Sequence, residues 1–347
     1  MHTTRFPAVP DIDGLAGSLA DLAVRTSAEG PWRSGAFAAL ARSGLLAAFI
    51  PGEQGGTAAG EPGLMPALVA IAERCLTTSL ALTQWAAAVR IIAGGPADVK
   101  QELLPPLARG DVFTTVGISQ LTTSRRHLGR PALAATRDGD AWRLDGICPW
   151  VTGADSTHTI VTGAATDDGG QMFFVVPTDA PGLSIDPPLQ MLGLTGSRTS
   201  AVHFAGVRPM HALPPPATGG VRTGGLSTTA LAVGAARASA TVIAMEAATR
   251  PGLAGVAAEF TAEIDAVESR LMNGAASGVE PAERDRLRAD ANGLVVRAAQ
   301  AALTASKGAG YVTGHPVERL VRESLFFLVW SCPQAVTDAF LCDLTAG

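Results

Sequence analysis

The segment Asp138–Thr152 reads Asp-Gly-Asp-Ala-Trp-Arg-Leu-Asp-Gly-Ile-Cys-Pro-Trp-Val-Thr, and it opens with an Asp-Gly pair that is typical of a tight turn. Apolar and polar residues then alternate over Ala141–Asp145, which is the period of a half-buried strand. Similar short β-rich runs, separated by glycine, aspartate and proline, continue over about 113–210. This interval therefore predicts a small antiparallel barrel or sandwich.

Helical periodicity occurs on both sides of this interval. Apolar residues recur at helical spacing before it, as at Leu64, Leu68 and Ile71, and again after residue 226. Three successive prolines and a cluster of glycines make the segment 213–225 a linker. We therefore predict a multi-domain α+β chain with an N-terminal helical domain (1–112), a middle β-domain (113–212), the linker, and a C-terminal helical bundle (226–347).

The composition of the chain predicts an oligomer. Of its 347 residues, 47% are hydrophobic and only 16% are charged, and the mean hydropathy is +0.25. Soluble domains usually contain about 25% charged residues, so either an unusually large share of this chain is core or part of its surface contacts another subunit. We expect a homodimer or homotetramer formed through the C-terminal helices. The net charge of −5 argues against a nucleic-acid partner, because neutralising phosphates needs clustered Lys and Arg.

The sequence lacks the usual signals for a membrane, for secretion and for a metal. It has no uncharged apolar stretch of about 20 residues, and its first residues lack the apolar part of a secretion signal. The four cysteines have neither a disulfide framework nor zinc spacing, and the six histidines never fall three or four residues apart. We therefore expect a soluble cytoplasmic protein with no membrane partner and no metal site.

Five short motifs, each weak alone, follow one another in a characteristic order. The chain resembles the acyl-CoA dehydrogenase superfamily in these motifs and in its order of helices, β-domain and helices. The motifs are Pro51–Gly56 (Pro-Glu-Glu-x-Gly-Gly in the family), Leu104–Gly110 (Leu-Pro-x-Leu-Ala-x-Gly), Trp150–Thr152 (Trp-Ile-Thr), Phe204–Pro209 at the end of the β-domain, and Pro316–Glu323 (Pro-Val-Glu-Arg-x-x-Arg-Asp).

The resemblance implies an FAD between the β-domain and a C-terminal four-helix bundle. It also implies an acyl thioester substrate, linked to CoA or to an acyl carrier protein, stacked against the flavin. Trp150, Val151 and Thr152 would lie at the flavin ring, with the Thr152 hydroxyl near N5. Without the surrounding motifs, Trp150 could equally be a tryptophan of the buried core, and Thr152 could be an ordinary threonine of a strand. The surrounding motifs favour the cofactor.

Other cofactor positions depart from the family pattern. Where the family has Thr-Glu-Pro-x-x-Gly-Ser-Asp, this chain has Gln120–His127, so the implied ligands here are Gln120, Leu121, Thr122 and Arg126. Arg126 and the arginine before it could bind a pyrophosphate or the phosphates of CoA or a carrier arm, or they could form a solvated charge pair. The remaining implied cofactor positions are Arg250, Thr304, Lys307, Gly308, Pro333 and Gln334.

The carboxylate that takes the α-proton in dehydrogenation is missing from both places where family members carry it. Ser331 occupies the position of the glutamate in Tyr-Glu-Gly-Thr, and Thr229 lies at the alternative position on the first C-terminal helix. These two residues are the candidate catalytic residues, although a hydroxyl with no histidine beside it is a poor base. The backbone N–H of Ser331 could still bind the thioester carbonyl, or Ser331 could simply end a helix.

Three hypotheses for the function follow from these observations. The first is a flavin-dependent, acyl-CoA-dehydrogenase-like oxidoreductase that acts on a thioester in a specialised biosynthetic pathway. The second keeps the fold but replaces dehydrogenation by oxygenation, which needs no carboxylate base, or by redox-neutral chemistry on a thioester enolate. The third is a non-catalytic homologue that binds acyl groups or protein partners.

We expect the wild-type protein to oxidise simple saturated acyl-CoAs poorly and Ser331→Glu to raise that activity. A positioned general base contributes roughly 10²–10⁴-fold, and the gain should grow with pH because a buried carboxyl ionises more fully there. Anaerobic bleaching of the flavin by short and medium acyl-CoAs measures the activity. Ser331→Gln, which adds similar volume without a charge, is the matched control. Rapid bleaching by the unmodified protein would reveal a base elsewhere.

Overall fold

The computed structural model describes residues 11–122, 131–215, 225–330, 336–338 and 341. Helices make up most of the described chain as far as residue 109. Asp11 begins the first helix by accepting a hydrogen bond from the Gly14 N–H at 2.9 Å, and Gly110, in the left-handed conformation, follows the last. These helices are Ile12–Glu29 (α1), Ala36–Arg42 (α2), Leu45–Ala48 (α3), Gly60–Arg74 (α4), Leu76–Ala93 (α5) and Ala97–Arg109 (α6).

The described middle region forms a single eight-stranded sheet. Its strands are Thr114–Gly117 (β1), Leu133–Asp138 (β2), Ala141–Val151 (β3), Thr159–Thr166 (β4), Gln171–Pro177 (β5), Leu183–Ile185 (β6), Ser200–Val207 (β7) and His211–Leu213 (β8). They are ordered β6-β7-β3-β2-β4-β5-β8, with β1 also paired to β4. The predicted Asp-Gly turn is confirmed, since Asp138 pairs with Ala141 and Gly139 has a φ of +62°. A short helix, Ser119–Thr122 (α7), follows β1.

The sheet is mixed, whereas the sequence predicted an antiparallel one. Both β1 and β2 run parallel to β4, with Thr114 opposite Thr159 and Ala134 opposite Ala165. Alternating apolar residues identify a strand but not the direction of its neighbours, because that direction depends on the crossover connections. Strand β8 includes Leu213, the first residue of the predicted linker.

The C-terminal region of the described chain is helical, so the predicted order of helices, β-domain and helices is confirmed. Its helices are Leu226–Thr249 (α8), Ala254–Ser277 (α9), Pro281–Ser306 (α10) and Pro316–Ser324 (α11). Helix α8 is central and packs against α4, α9 and α10. Two of the helices, α5 and α8, are long and apolar enough to cross a membrane, but 67% of an apolar 18-residue window in each is buried inside the fold, as in the core helices of many proteins.

One hydrophobic core is shared by the N-terminal and C-terminal helices. It includes Trp85 of α5, Leu231 of α8 and Phe173 of β5. A second core contains Phe174, the next residue of β5. Because successive side chains of a strand point to opposite faces, the sheet packs one face against the helices and the other against its own second core. The helices and the sheet therefore meet along one face.

We expect Gly234→Ala in α8 to lower the free energy of unfolding by about 1–3 kcal/mol, because α8 would have to move away from α4. A Cβ at Gly234 would lie 2.4 Å from the Val69 carbonyl oxygen. Gly293→Ala in α10 is the matched control, since nothing lies within 4 Å of its Cβ position. That substitution should raise the free energy by about 0.5–1 kcal/mol through helix propensity. Urea denaturation compares the two, and equal effects would contradict this account of the contact.

Candidate functional site

A cavity of about 640 Å³ lies where the N-terminal helices, the sheet and the C-terminal helices meet. Its wall comprises one face of α5, the chain around the end of β1, the end of β3, the first turn of α8 and the connection between α9 and α10. Its lining is divided between apolar side chains and hydroxyl, amide and charged groups, and a concave site of this size is typical of small-molecule binding. The cavity is therefore the candidate functional site.

Helix α5 contributes a long wall of mixed character. Its lining residues are Leu80, Thr83, Gln84, Ala87 and Arg90. Their spacing of three or four residues places them on one face of the helix, and at 1.5 Å per residue this face extends over about 15 Å. Only two of the five side chains are apolar, so the wall differs from a purely hydrocarbon surface.

Trp150 and Thr152, at the end of β3, both line the cavity. Trp150 is 50% exposed, whereas Val151 between them is fully buried in the second core. This difference follows from the alternation of side chains along a strand. The structure therefore brings Trp150 and Thr152 to the site and directs Val151 away from it.

Three hydroxyl groups form a row beside Trp150 in the cavity wall. Thr152 Oγ1 lies 3.2 Å from Thr199 Oγ1, which lies 2.8 Å from Ser197 Oγ. The backbone fixes this row, because the Gly153 N–H donates to the Ser197 carbonyl at 3.0 Å and Thr115 Oγ1 donates to the Thr152 carbonyl at 2.8 Å. The hydroxyl row is thus preorganised before any ligand binds.

An ion pair fixes the loop that carries two of these hydroxyls. Arg198 has a φ of +50°, an uncommon conformation for a residue other than glycine, and its Nε donates to both carboxylate oxygens of Asp155 at 3.0 and 2.9 Å. Partial burial acts to raise the pKa of Asp155, but hydrogen bonds from Arg198 and Ser156 outweigh it and hold the pKa below its ordinary value. Asp155 therefore remains ionised and stabilises the loop.

The family of the chain follows from the match of two sequence models. The models of the acyl-CoA dehydrogenase N-terminal domain and middle domain match residues 16–111 and 118–207, which together are more than half of the chain. The chain belongs to the acyl-CoA dehydrogenase superfamily. The predicted resemblance is therefore confirmed.

Individual members of the superfamily are distant from this chain in sequence. A probable acyl-CoA dehydrogenase of Bacillus subtilis is 27% identical over 320 residues, which cover 83% of each protein. The structure of FkbI is similar to that of this chain, with a TM-score of 0.78 and 22% sequence identity over 96% of this chain and 98% of FkbI. FkbI serves the biosynthesis of the methoxymalonyl extender unit of a polyketide immunosuppressant. Dibenzothiophene monooxygenase of Paenibacillus sp. A11-2 has a TM-score of 0.74 and 18% identity over 96% of this chain and 95% of its own.

Acyl-CoA dehydrogenases are flavoproteins, and the residues of the cavity fit the ring of a flavin. The half-exposed indole of Trp150 presents a flat apolar surface on which a planar ring can stack. The hydroxyl row beside it offers donors and acceptors for ring nitrogens and oxygens. The FAD implied by the family is therefore compatible with this chain's own residues.

Gln120 does not contribute its side chain to the cavity, contrary to the sequence prediction. Its amide nitrogen donates to the Gly117 carbonyl at 3.2 Å, to Thr162 Oγ1 at 3.2 Å and to the Gly163 carbonyl at 2.8 Å. Its amide oxygen accepts from Cys148 Sγ at 3.0 Å. Burial raises the pKa of the Cys148 thiol to about 12, so this donor stays protonated. Gln120 therefore cross-links the inside of the sheet domain.

Sequence reasoning missed Ile118 and Ser119, which line the cavity just before Gln120. Comparing the chain with Thr-Glu-Pro-x-x-Gly-Ser-Asp one residue earlier places Ser119 at the threonine and Gln120 at the glutamate, and this polar pair was the available signal. Leu121 packs over Gly163 and is not part of the wall. Thr122 ends α7, and Arg126 lies outside the described residues.

Four other predicted cofactor ligands lie together near the end of α10 and do not line the cavity. Arg250 donates a hydrogen bond to the carbonyl of Ala305. Thr304, Lys307 and Gly308 are exposed beside it. Their role in binding a cofactor stays a prediction.

Thr229, one of the two predicted catalytic residues, is fully buried and does not line the cavity. Its hydroxyl has no hydrogen-bond partner among the described residues. Ser227 and Thr228, its neighbours in the first turn of α8, line the cavity instead. The structure therefore does not bring Thr229 to the cavity, and its catalytic role stays a prediction. The other predicted catalytic residue, Ser331, and the predicted cofactor ligands Pro333 and Gln334 lie outside the described residues.

We expect Thr152→Val to change the absorption spectrum and the reactivity of bound flavin while costing only about 0.5–1.5 kcal/mol of stability, because it removes one hydroxyl and keeps the size of the side chain. Thr199→Val should shift the spectrum in the same direction, since it leaves the Thr152 hydroxyl without this partner. Thr178→Val is the matched control, because its hydroxyl donates to the Thr157 carbonyl outside the cavity. Visible spectra and thermal unfolding of the three variants test this. An unaltered spectrum in Thr152→Val would refute the placement of this hydroxyl at the flavin.

Proposed function

We propose that the chain is a flavin-dependent oxidoreductase that acts on an acyl thioester, linked to CoA or to a carrier protein, in a specialised biosynthetic pathway. The observation that carries the proposal is the single cavity that joins Trp150 and the hydroxyl row to the 15 Å face of α5. The first group suits a planar cofactor, and the second suits an extended acyl chain beside it. The similarity to FkbI, a protein for biosynthesis of a polyketide extender unit, supports the pathway.

The chain's own residues would bind and orient rather than carry the redox chemistry. A bound flavin supplies the two-electron acceptor or donor. Trp150 would hold its ring by stacking, and Thr152 would place a hydroxyl at the ring edge. The apolar side chains of Met191, Phe326 and Trp330 would exclude water from the acyl group.

The supply of a base decides between dehydrogenation and oxygenation. Among the described residues that line the cavity, Glu61 is the one carboxylate, and it is exposed in the first turn of α4. A base must come within hydrogen-bond reach of the proton that it removes, and the buried Thr229 does not reach the cavity. Oxygenation, which needs no carboxylate base, is therefore the second candidate. The fold shared with dibenzothiophene monooxygenase is compatible with it.

We also propose a cytoplasmic homo-oligomer, a dimer or a tetramer. The described C-terminal helices and turns expose several large apolar side chains, which a partner subunit would cover. These are Met245, Val256, Tyr311 and Val312. Cys75 and Cys148 are buried free thiols, as is usual in a reducing compartment.

We expect the purified protein to show visible flavin absorption and Trp150→Ala to lower its flavin content, because the stacking surface is lost. Trp142→Ala, an aromatic of the same strand outside the cavity, is the matched control and should retain the flavin. A wild-type protein that binds no flavin, even after incubation with FAD, would contradict the proposal and favour the non-catalytic homologue. With flavin bound, anaerobic bleaching by a thioester indicates dehydrogenation, and thioester-dependent oxygen consumption by the reduced protein indicates oxygenation.

A further inference from the structure

Two arginines line the cavity, one from the N-terminal helices and one from the C-terminal helices. Arg90 lies on the cavity face of α5, and Arg284 lies in the first turns of α10. Neither forms an ion pair with a carboxylate of the described chain, whereas eleven other described arginines do. Arg90 is exposed and Arg284 is partly buried, and both charges face the candidate site without a carboxylate partner among the described residues.

The Arg284 guanidinium is held at the cavity by the loop between α9 and α10. Its Nη2 donates to the Val279 carbonyl at 3.1 Å, and Gly278 and Val279 themselves line the cavity. This hydrogen bond uses one of the five N–H groups of a guanidinium. Several donors of Arg284 therefore stay available to a ligand.

The charge and polarity of the wall oppose a plain hydrocarbon chain. Thr83 and Gln84 share the cavity face of α5 with Arg90, and covering these groups with methylenes would bury them without new partners, which costs free energy. Glu61 is the one carboxylate among the described lining residues, so its charge balances only one of the two arginines. The described wall carries a net positive charge.

We infer that the acyl group of the thioester substrate carries a carboxylate, which Arg90 and Arg284 attract into this cavity. Guanidinium groups bind carboxylates and phosphates through paired, charge-assisted hydrogen bonds. Phosphate accompanies any acyl group that is linked to CoA or to a carrier arm, so the experiment must control for it. The inference rests on the proposed function, since it names the class of thioester that the same site accepts.

The test separates the two sources of negative charge. The flavin-loaded protein is titrated with butyryl-CoA, succinyl-CoA and the N-acetylcysteamine thioesters of the same two acyl groups, which lack phosphate, and the dissociation constants are measured by calorimetry. If the arginines bind an acyl carboxylate, the succinyl thioesters bind about 10-fold or more tightly than the butyryl ones on either carrier. Tighter binding of both CoA thioesters than of their N-acetylcysteamine counterparts, by a similar factor for the two acyl groups, would reflect the CoA phosphates alone.

The variants Arg90→Gln and Arg284→Gln should each remove most of this preference. Arg286→Gln is the matched control, because Arg286 is exposed on the same helix and does not line the cavity; it should bind as the wild type does. Raising the salt concentration should weaken binding of the preferred anion in the wild type more than in the double variant.

Two outcomes would overturn the inference in distinguishable ways. If the wild type binds the neutral and anionic thioesters equally, or if the arginine variants keep the wild-type preference, the anion site is wrong and the thioester function stands. If no thioester binds to the flavin-loaded protein, the proposed function fails and this inference fails with it.

Discussion

The close approach of α4 and α8 at Gly234 joins the N-terminal and C-terminal helices into one core, and the position of the cavity depends on it. The absent side chain lets the Val69 carbonyl come within 2.4 Å of where a Cβ would lie. The alanine-rich faces of α8 add little bulk, so this helix also packs against α10 at short range. With α8 fixed in this way, its first turn lies opposite the end of β3, and the space left between them is the site. No single domain contains that site.

The sheet shows which features the sequence could predict. The alternation over Ala141–Asp145 and the turn at Gly139 are local, and both determine the pairing of β2 with β3 directly. The parallel pairing of β1 with β4 joins Thr114 to Thr159, far apart along the chain, and no local pattern carries that information. The antiparallel prediction therefore holds for most strand pairs of the described sheet, and it fails where β1 and β2 each pair with β4.

The site residues show the same difference between features that a local pattern predicts and features that tertiary structure decides. Trp150 and Thr152 were found because a local motif places them, and strand alternation then separates them from Val151. The sequence does not identify the α5 wall, because helical spacing predicts only which residues share a face, and tertiary structure decides whether that face meets a core or a cavity. The error at Gln120 is an offset of one residue. In the short helix α7 such an offset turns the side-chain direction by about 100°, so Ser119 lines the cavity while the Gln120 side chain cross-links the sheet domain.

The missing carboxylates and the cavity arginines have a common electrostatic explanation. A glutamate placed beside a guanidinium has its ionised form stabilised, which lowers its pKa and weakens it as a base. The same glutamate would repel an anionic substrate that the arginines attract. A cavity lined by Arg90 and Arg284 therefore gains less from a carboxylate base than a neutral cavity would, and loses substrate affinity by keeping one. The sequence has Ser331 and Thr229 at the two positions where family members carry the base, which is consistent with the proposed anionic substrate. Dehydrogenation of a plain acyl chain is the reaction for which such a cavity is least suited.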